Sequence, residues 1–409
     1  MDVREGRGRI VGRRMGVVAA ACAAALAGAF ACGGDSTNSG PATAGTPESG
    51  GGSPGGAGSP GAGAPPRTPV PTTPGVWTEV APPLGLDGFR VTDAFAVGTD
   101  DLFFVGGVFA PDGTSSSTHV LRWSHGLWTD ELTLPPSTSG SSLSRASVHG
   151  TGPTDVWAVS SDQIFHRNAQ GWSRFADEGW RSQLRLPLPH QGGLDLVRVR
   201  AGSPNHVWVA ATSHMLRWDG SAWSVYNLDD PTYPDTSASA GYNYNDFWID
   251  GPNDVWIAGG LDGVGSTMEP GIVHHFDGTS FTRTGFGAYN VYALWRVGPG
   301  LLWAVNGSFS SMPLTRLEGT TPQSVAISGT DPNASQPFLT TLWGRSANDL
   351  WATGTSVVHF NGQQWSVVTD APPPTLAGSG FYDVVVTGDA GSVWLTSPGP
   401  HFFRMVTGP

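Results

Sequence analysis

Asp155-Val156-Trp157-Ala158-Val159 is a phrase that returns, with its tryptophan in place, around Trp208, Trp256, Trp303, Trp351 and Trp394. The spacing is roughly 43 to 51 residues, and a period of that length denotes a repeat architecture. Asp101-Leu102-Phe103-Phe104-Val105 extends the column one step upstream with Phe103 in the tryptophan position, so the repeat occurs seven times.

Eight residues before this column runs a second, made of Phe95, His149, Arg200, Trp248, Trp295, Trp343 and Val386. Turn sequences such as Gly251-Pro252-Asn253-Asp254 separate the two columns, which fits two strands joined by a tight hairpin. A third column follows in Arg217-Trp218-Asp219-Gly220-Ser221-Ala222-Trp223, matched by Arg122-Trp123 to Trp128, His275-Phe276-Asp277-Gly278 to Phe281, and His359-Phe360-Asn361-Gly362 to Trp365. Asp-Gly or Asn-Gly between apolar runs is a strong hairpin signal. Each repeat therefore reads as a four-stranded antiparallel sheet. The last repeat stops after His401-Phe402-Phe403-Arg404-Met405 without a fourth strand, while Gly75-Val76-Trp77-Thr78-Glu79 supplies a spare one that matches Gly126-Leu127-Trp128-Thr129-Asp130. A strand missing at one end and spare at the other is what a closed ring requires. The expected fold is all-β, a seven-bladed β-propeller over residues 75–409 in which the N-terminal strand closes the last blade and protects its edge.

These phrases resemble the tryptophan-rich propeller repeats of lipoproteins from myxobacteria and their relatives, and more loosely kelch and Asp-box repeats. A true Asp-box has one more residue between Asp and Gly, so sialidase chemistry is not implied. Kelch copper oxidases need a cysteine cross-linked to tyrosine, and the only cysteines here are Cys22 and Cys32.

Both cysteines belong to the N-terminal region. Residues 1–31 carry Arg4, Arg7, Arg9, Arg13 and Arg14, then an apolar run from Met15 to Ala31. Basic stretch, apolar core and small residues at the end make a secretory signal. Its end, Ala29-Phe30-Ala31-Cys32, resembles the lipobox of bacterial lipoproteins. That resemblance implies lipidation of Cys32, and Gly33 rather than Asp after it implies sorting to the outer membrane. An ordinary secreted protein cut near Ala31 is the other reading. Residues 32–74 hold Cys32 and then a stretch of Gly, Ser, Pro, Ala and Thr without aromatics, which cannot bury enough apolar area to offset the entropy of ordering. They read as a disordered tether with a mean reach of about 35 to 40 Å.

Without further cysteine the domain has no disulfide, thiolate nucleophile or cysteine-ligated zinc. All 21 basic residues are arginine, set against 33 acids. Loss of residues 1–31 removes five arginines and two acids, which leaves a formal charge of about −15 and disfavours nucleic acid and anionic lipid. No histidine pair has metal-ligand spacing, and nucleophile elbows, phosphate-binding glycine loops and HExxH are missing.

What repeats in every blade is scaffold, so function is sought off the columns. The aromatic columns are expected in the core. The basic residues opposite them, Arg122, His166, Arg217, His275, Arg316, His359 and Arg404, are expected to pair with Asp101, Asp155, Asp254 and Asp349 or with strand-end carbonyls. Of 17 tryptophans only Trp180 lies outside the columns, which makes it a candidate contact. Turns joining strands one to two and three to four are short throughout. The insertions, 107–118, 176–195, 228–243, 261–270 and 307–313, all fall on the opposite rim, where binding residues are expected. That rim carries Phe109, Trp180, Tyr233, Tyr242 and Phe309 among Asp112, Asp229, Asp230, Asp235, Asp262 and Glu269, a composition suited to a sugar, a peptide or a weak calcium site. The innermost strands start at the same rim, where Asp93, Arg145, Arg198, Asp246 and Asp383 are placed to converge at the mouth of the central channel. They would either bind a polar ligand, do acid–base work, or fill the channel by pairing with one another. The expected molecule is a monomeric, membrane-anchored extracytoplasmic propeller that binds protein or glycan without catalysis and without cofactor or metal. A glycan hydrolase or lyase with its site at the channel mouth and a structural envelope component are the alternatives.

Overall fold

The computed structural model describes residues 75–406 except 84, 110–114, 135–145, 161–162, 176–178, 184–195, 212–213, 229–240, 263–270, 287–289, 299, 307–312, 320, 331–335, 373–383, 388–391, 398 and 400. The signal, Cys32 and the tether lie outside the described residues.

Strand β1 (Trp77–Val80) comes first. Blade 1 is β2 (Phe89–Gly98), β3 (Asp101–Phe109), β4 (Ser115–Ser124) and β5 (Leu127–Leu134). Blade 2 is β6 (Ser147–Gly152), β7 (Asp155–Ser160), β8 (Gln163–Asn168) and β9 (Gly171–Arg174), followed by one helical turn, α1 (Trp180–Gln183). Blade 3 is β10 (Leu196–Ser203), β11 (His206–Ala211), β12 (His214–Trp218) and β13 (Trp223–Asn227). Blade 4 is β14 (Gly241–Gly251), β15 (Asp254–Asp262), β16 (Gly271–Phe276) and β17 (Phe281–Gly285). Blade 5 is β18 (Val291–Arg296), β19 (Leu301–Asn306), β20 (Leu314–Glu318) and β21 (Thr321–Val325). Blade 6 has a two-residue strand, β22 (Ile327–Ser328), before β23 (Leu339–Ser346), β24 (Asp349–Gly354), β25 (Val357–Phe360) and β26 (Trp365–Val367). Blade 7 is β27 (Val384–Thr387), β28 (Ser392–Ser397) and β29 (His401–Val406).

Each sheet runs in chain order from its first strand outward, and β1 pairs antiparallel with β29, Trp77 opposite Met405 and Val80 opposite Phe402. The seven sheets and the N-terminal closure are those the sequence predicts. Blade 6 differs by one element, since β22 adds to the outer edge of β26 in parallel.

The three columns lie in lateral register. Phe95 faces Phe103 and Phe103 faces Arg122; His149, Trp157 and His166 repeat the row, as do Trp248, Trp256 and His275. Trp343, Trp351 and His359 do the same in blade 6. Such a row puts three large side chains on one face of the blade, against the next blade. Trp157 thus packs with Leu196, Val199, Val207 and Trp223 of blade 3, Trp208 with Tyr244, Phe247 and Phe276 of blade 4, and Trp394 with Phe104 and Leu121 of blade 1. The core is therefore a ring of interfaces between blades, and each buried indole contributes about 1.5 to 3 kcal/mol. The innermost column departs from the expectation of burial, because Trp248, Trp295 and Trp343 are only half-buried. They pack on one another across successive blades as tilted pairs, with centroids 4.2 and 5.1 Å apart.

The basic column pairs with the Asp column in all four blades that carry the aspartate. Arg122 grips Asp101 with Nε at 2.7 Å and Nη2 at 2.8 Å. His166, His275 and His359 face Asp155, Asp254 and Asp349 at 2.8 to 2.9 Å, and Trp157, Trp256 and Trp351 donate Nε1–H to the same carboxylates. One aspartate at the start of the second strand so fixes the indole beside it and the imidazole opposite. Where the aspartate is missing the contact changes: Trp208 donates to His206 Nε2 at 2.8 Å, and Arg404 reaches Asp100 of blade 1.

The Asp-Gly hairpins form as expected, with four-residue loops, since Trp218 pairs with Trp223. Asp219 Oδ1 accepts from the amides of Ser221 and Ala222 at 2.8 Å, and those amides hold its carboxyl down at about 2. Gly220 has φ +96°, and a Cβ there would stand 2.7 Å from Asn205 Cγ in the neighbouring hairpin. Glycine is needed for both reasons.

Candidate functional site

In blades 1, 3, 4, 5 and 6 the innermost strand carries one unpaired residue near its start: Thr92, Val197, Asn245, Tyr292 and Thr340. All stand three positions before the inner column. In blade 2 the equivalent residue is Ala146, immediately before β6. A bulge re-aims the side chain it carries. Here the bulges turn a ring of residues toward the mouth of the channel on the long-loop rim, and Thr92, Ala146, Val197, Arg198, Tyr244, Asn245 and Tyr292 line a pocket of about 220 Å³.

Beneath the pocket the ring one position further on brings charged groups together. Arg198 Nη1 stands 3.1 Å from Asp93 Oδ1 and Arg198 Nε 3.3 Å from Asp246 Oδ1. Arg200 reaches the same two carboxylates, at 3.7 Å to Asp93 and 3.0 Å to Asp246. Blades 1, 3 and 4 are thereby tied across the axis. Asp93 also accepts from Ser147 Oγ at 2.5 Å and the Val148 amide at 3.2 Å, and Asp246 accepts from the Leu294 amide at 3.2 Å. Ser147 Oγ takes the Val199 amide at 3.1 Å. Each of these accepted amides lies on the inner edge of the next blade, where no strand is available to pair with it. Asp93, Ser147 and Asp246 are therefore caps on open strand edges.

Burial would raise the pKa of Asp93, but the guanidiniums of Arg198 and Arg200 and the bonds from Ser147 and Val148 outweigh it and hold the carboxyl below its usual range. A general acid needs the opposite shift. Burial, with Arg200 beside it, pushes His149 down to about 3, so its imidazole is neutral and accepts the Ala201 amide at Nδ1. The mouth is thus occupied by mutual ion pairing, the alternative that counts against acid–base chemistry there.

Of the other candidate residues, Trp180 is corrected. Its ring is only 3% exposed and packs with Trp157, Leu196 and Trp223, so α1 plugs the seam between blades 2 and 3 and offers no surface to a ligand. Phe109 ends β3 as a half-buried strand residue whose amide bonds Gly88. Tyr242 lies on β14 opposite Leu261, with its side chain outside the described residues. Tyr233, Phe309, Asp383 and Arg145 lie outside them altogether, as do most rim acids. Among the described residues no cluster of histidine, cysteine and carboxylate residues is placed to hold a metal ion. Thr92, Ala146, Val197, Asn245 and Tyr292 were missed in the sequence. Counting back three from each inner-column residue would have found them.

One further constellation stands on blade 1. Ser117 Oγ lies 2.8 Å from His119 Nε2, and His119 Nδ1 lies 2.8 Å from Asp130 Oδ2. That order is the one nucleophilic hydrolases use. The Asp130 side chain is 39% exposed, however, and Ser117 sits in mid-strand opposite Val108, so the carboxylate is solvated and the serine is held in a ladder rather than on a turn.

The chain shares its fold with several solved β-propellers. YCF48 bound to D1 peptide superposes with a TM-score of 0.54 at 12% identity, over 83% of this chain and 97% of that one. PorZ, described as an essential bacterial surface component of the type-IX secretion system of Porphyromonas gingivalis, gives 0.54 at 16% identity over 80% of this chain and 48% of its own. The extracellular domain of a putative hybrid two-component system of B. thetaiotaomicron gives 0.52 at 12% identity over 82% and 42%. At such identities the likeness is one of fold. No protein-family model and no curated protein matches the sequence.

Proposed function

We propose that this protein is an extracytoplasmic, lipid-anchored propeller that binds a segment of a partner polypeptide at the channel mouth on its long-loop rim, without catalysing a reaction. The observation that carries this is the bulge ring. Several blades spend a ladder pair to bring a side chain to the wall of one shared pocket; Thr92 and Asn245 also bond the next blade from there, while Val197 and Tyr292 present apolar and aromatic surface, and the charged groups are committed to holding blades together. Propellers of this fold include one solved with a peptide and others from bacterial surfaces and extracellular domains, which supports the reading without assigning it. The signal and the Cys32 lipobox resemblance supply the address.

An array of immobilised peptides and glycans probed with the full chain and with Tyr292→Ala tests the binding. Peptide binding that the substitution abolishes supports the reading, and a glycan-only response refutes it. For the anchor, labelled palmitate incorporated in a bacterial host should disappear in Cys32→Ala; unchanged labelling would sink the assignment.

A further inference from the structure

The pocket's size and charge limit what it takes. About 220 Å³ is the volume of about seven waters. It lies below the usual range of cofactor and drug-sized sites, roughly 300 to 1,000 Å³, so it fits one side chain or one backbone turn. Its walls are the apolar Val197 and Ala146 with Thr92, and the rings of Tyr244 and Tyr292. The one charged group in the pocket's lining is Arg198, whose side chain is 18% exposed. Its Nε is taken by Asp246 and the Asn245 carbonyl and its Nη1 by Asp93, which leaves Nη2 without a partner among the described residues.

Asp93, Asp246, Arg198 and Arg200 are two charges of each sign, so the described network is neutral without a ligand. A carboxylate entering the pocket would bring an unmatched charge against a balanced, mostly buried network in a protein already net negative, and an ammonium would meet Arg198 head on. A neutral acceptor is subject to neither penalty and takes a hydrogen bond from Nη2.

We infer that the pocket reads a neutral carbonyl of a partner polypeptide, an Asn or Gln side chain or an exposed backbone carbonyl, through Arg198 Nη2, and that it rejects the isosteric carboxylate. This rests on the binding reading above. An oligosaccharide is disfavoured because the site offers little room, and Trp180, the one tryptophan outside the columns, is buried in the core.

The test uses the full chain with isotope-labelled arginine and tyrosine, titrated with N-acetyl-asparagine N-methylamide, N-acetyl-aspartate N-methylamide and N-acetylglucosamine. The asparagine compound should shift the Arg198 guanidinium signal saturably, with the aspartate compound binding at least about ten-fold more weakly. Arg198→Lys keeps the charge that Asp93 and Asp246 need but loses the fork; there the Tyr292 ring signal should no longer respond to the asparagine compound. Equal or tighter binding of the aspartate compound, tighter binding of the sugar, or no saturable shift would each overturn the inference. Peptide binding on the array that persists in Arg198→Lys would leave the broader reading standing and refute only this one.

Discussion

Asp349 and Asp254 make the same three contacts in blades 6 and 4 but differ in exposure, which separates the worth of the lock from the worth of its burial. Asp349 accepts from Trp351 Nε1 at 2.8 Å, His359 Nε2 at 2.9 Å and Arg345 Nε at 2.5 Å, with its side chain 6% exposed. Asp254 accepts from Trp256 Nε1 and His275 Nε2 at 2.8 Å and Arg296 Nη1 at 2.7 Å, with 38% exposure. Asp349→Ala strips the acceptor from the buried indole of Trp351 and imidazole of His359 as well as from Arg345, and leaving the two buried ring donors unsatisfied should cost about 1 to 3 kcal/mol each. Asp254→Ala leaves Arg296 paired with Asp250 at 2.6 Å, and water reaches the rest, so the loss should be about 1 kcal/mol or less. Urea unfolding of both variants, read as midpoint and slope, measures the difference. Equal losses, or a loss below about 1 kcal/mol at Asp349, would refute the claim that burial of the lock sets its worth.

Acid should weaken the fold in two stages. Burial lowers His149 to about 3 and His206 to about 4, so the unfolded chain binds protons that the folded one refuses, and stability should fall as pH drops below about 6.5. Asp93, Asp155, Asp254 and Asp349 titrate below 3.8 when folded; their contribution is complete above the unfolded value and lost as pH falls through the folded ones. His149→Gln should flatten the first stage in a series of urea midpoints against pH, and an unchanged slope would discount His149. Deleting Gly75 to Val80 uncovers the β29 edge and should lower the melting temperature of the whole ring cooperatively; an unaltered melting curve rejects N-terminal closure. Trp180→Ala should cost about 3 to 5 kcal/mol by cavity formation while peptide binding on the array is kept. Loss of binding with stability intact would restore Trp180 as a contact.

Most of the scaffold was legible in the residues, because scaffold contacts recur. The period of the Trp157 column, the spare strand at Trp77 and the Asp-Gly turns each state a local preference that every blade repeats, and the ring satisfies all of them together. The pairing of His166, His275 and His359 with aspartates followed from the same repetition. Trp180 was misread since its isolation in sequence says nothing about the seam it fills.

The sequence by itself determined the number of blades, their strand order and where the ring closes, since hydrophobic period and turn chemistry are local properties that survive translation along the chain. Only the tertiary structure decided which charges meet at the axis and what the bulges expose. Asp93 and Asp246 are 153 residues apart, and whether two carboxylates share a pair of guanidiniums or stand open to a substrate depends on the angle at which separate blades converge. That angle is set by the packing of indoles between blades, a sum over the whole ring that no single repeat encodes.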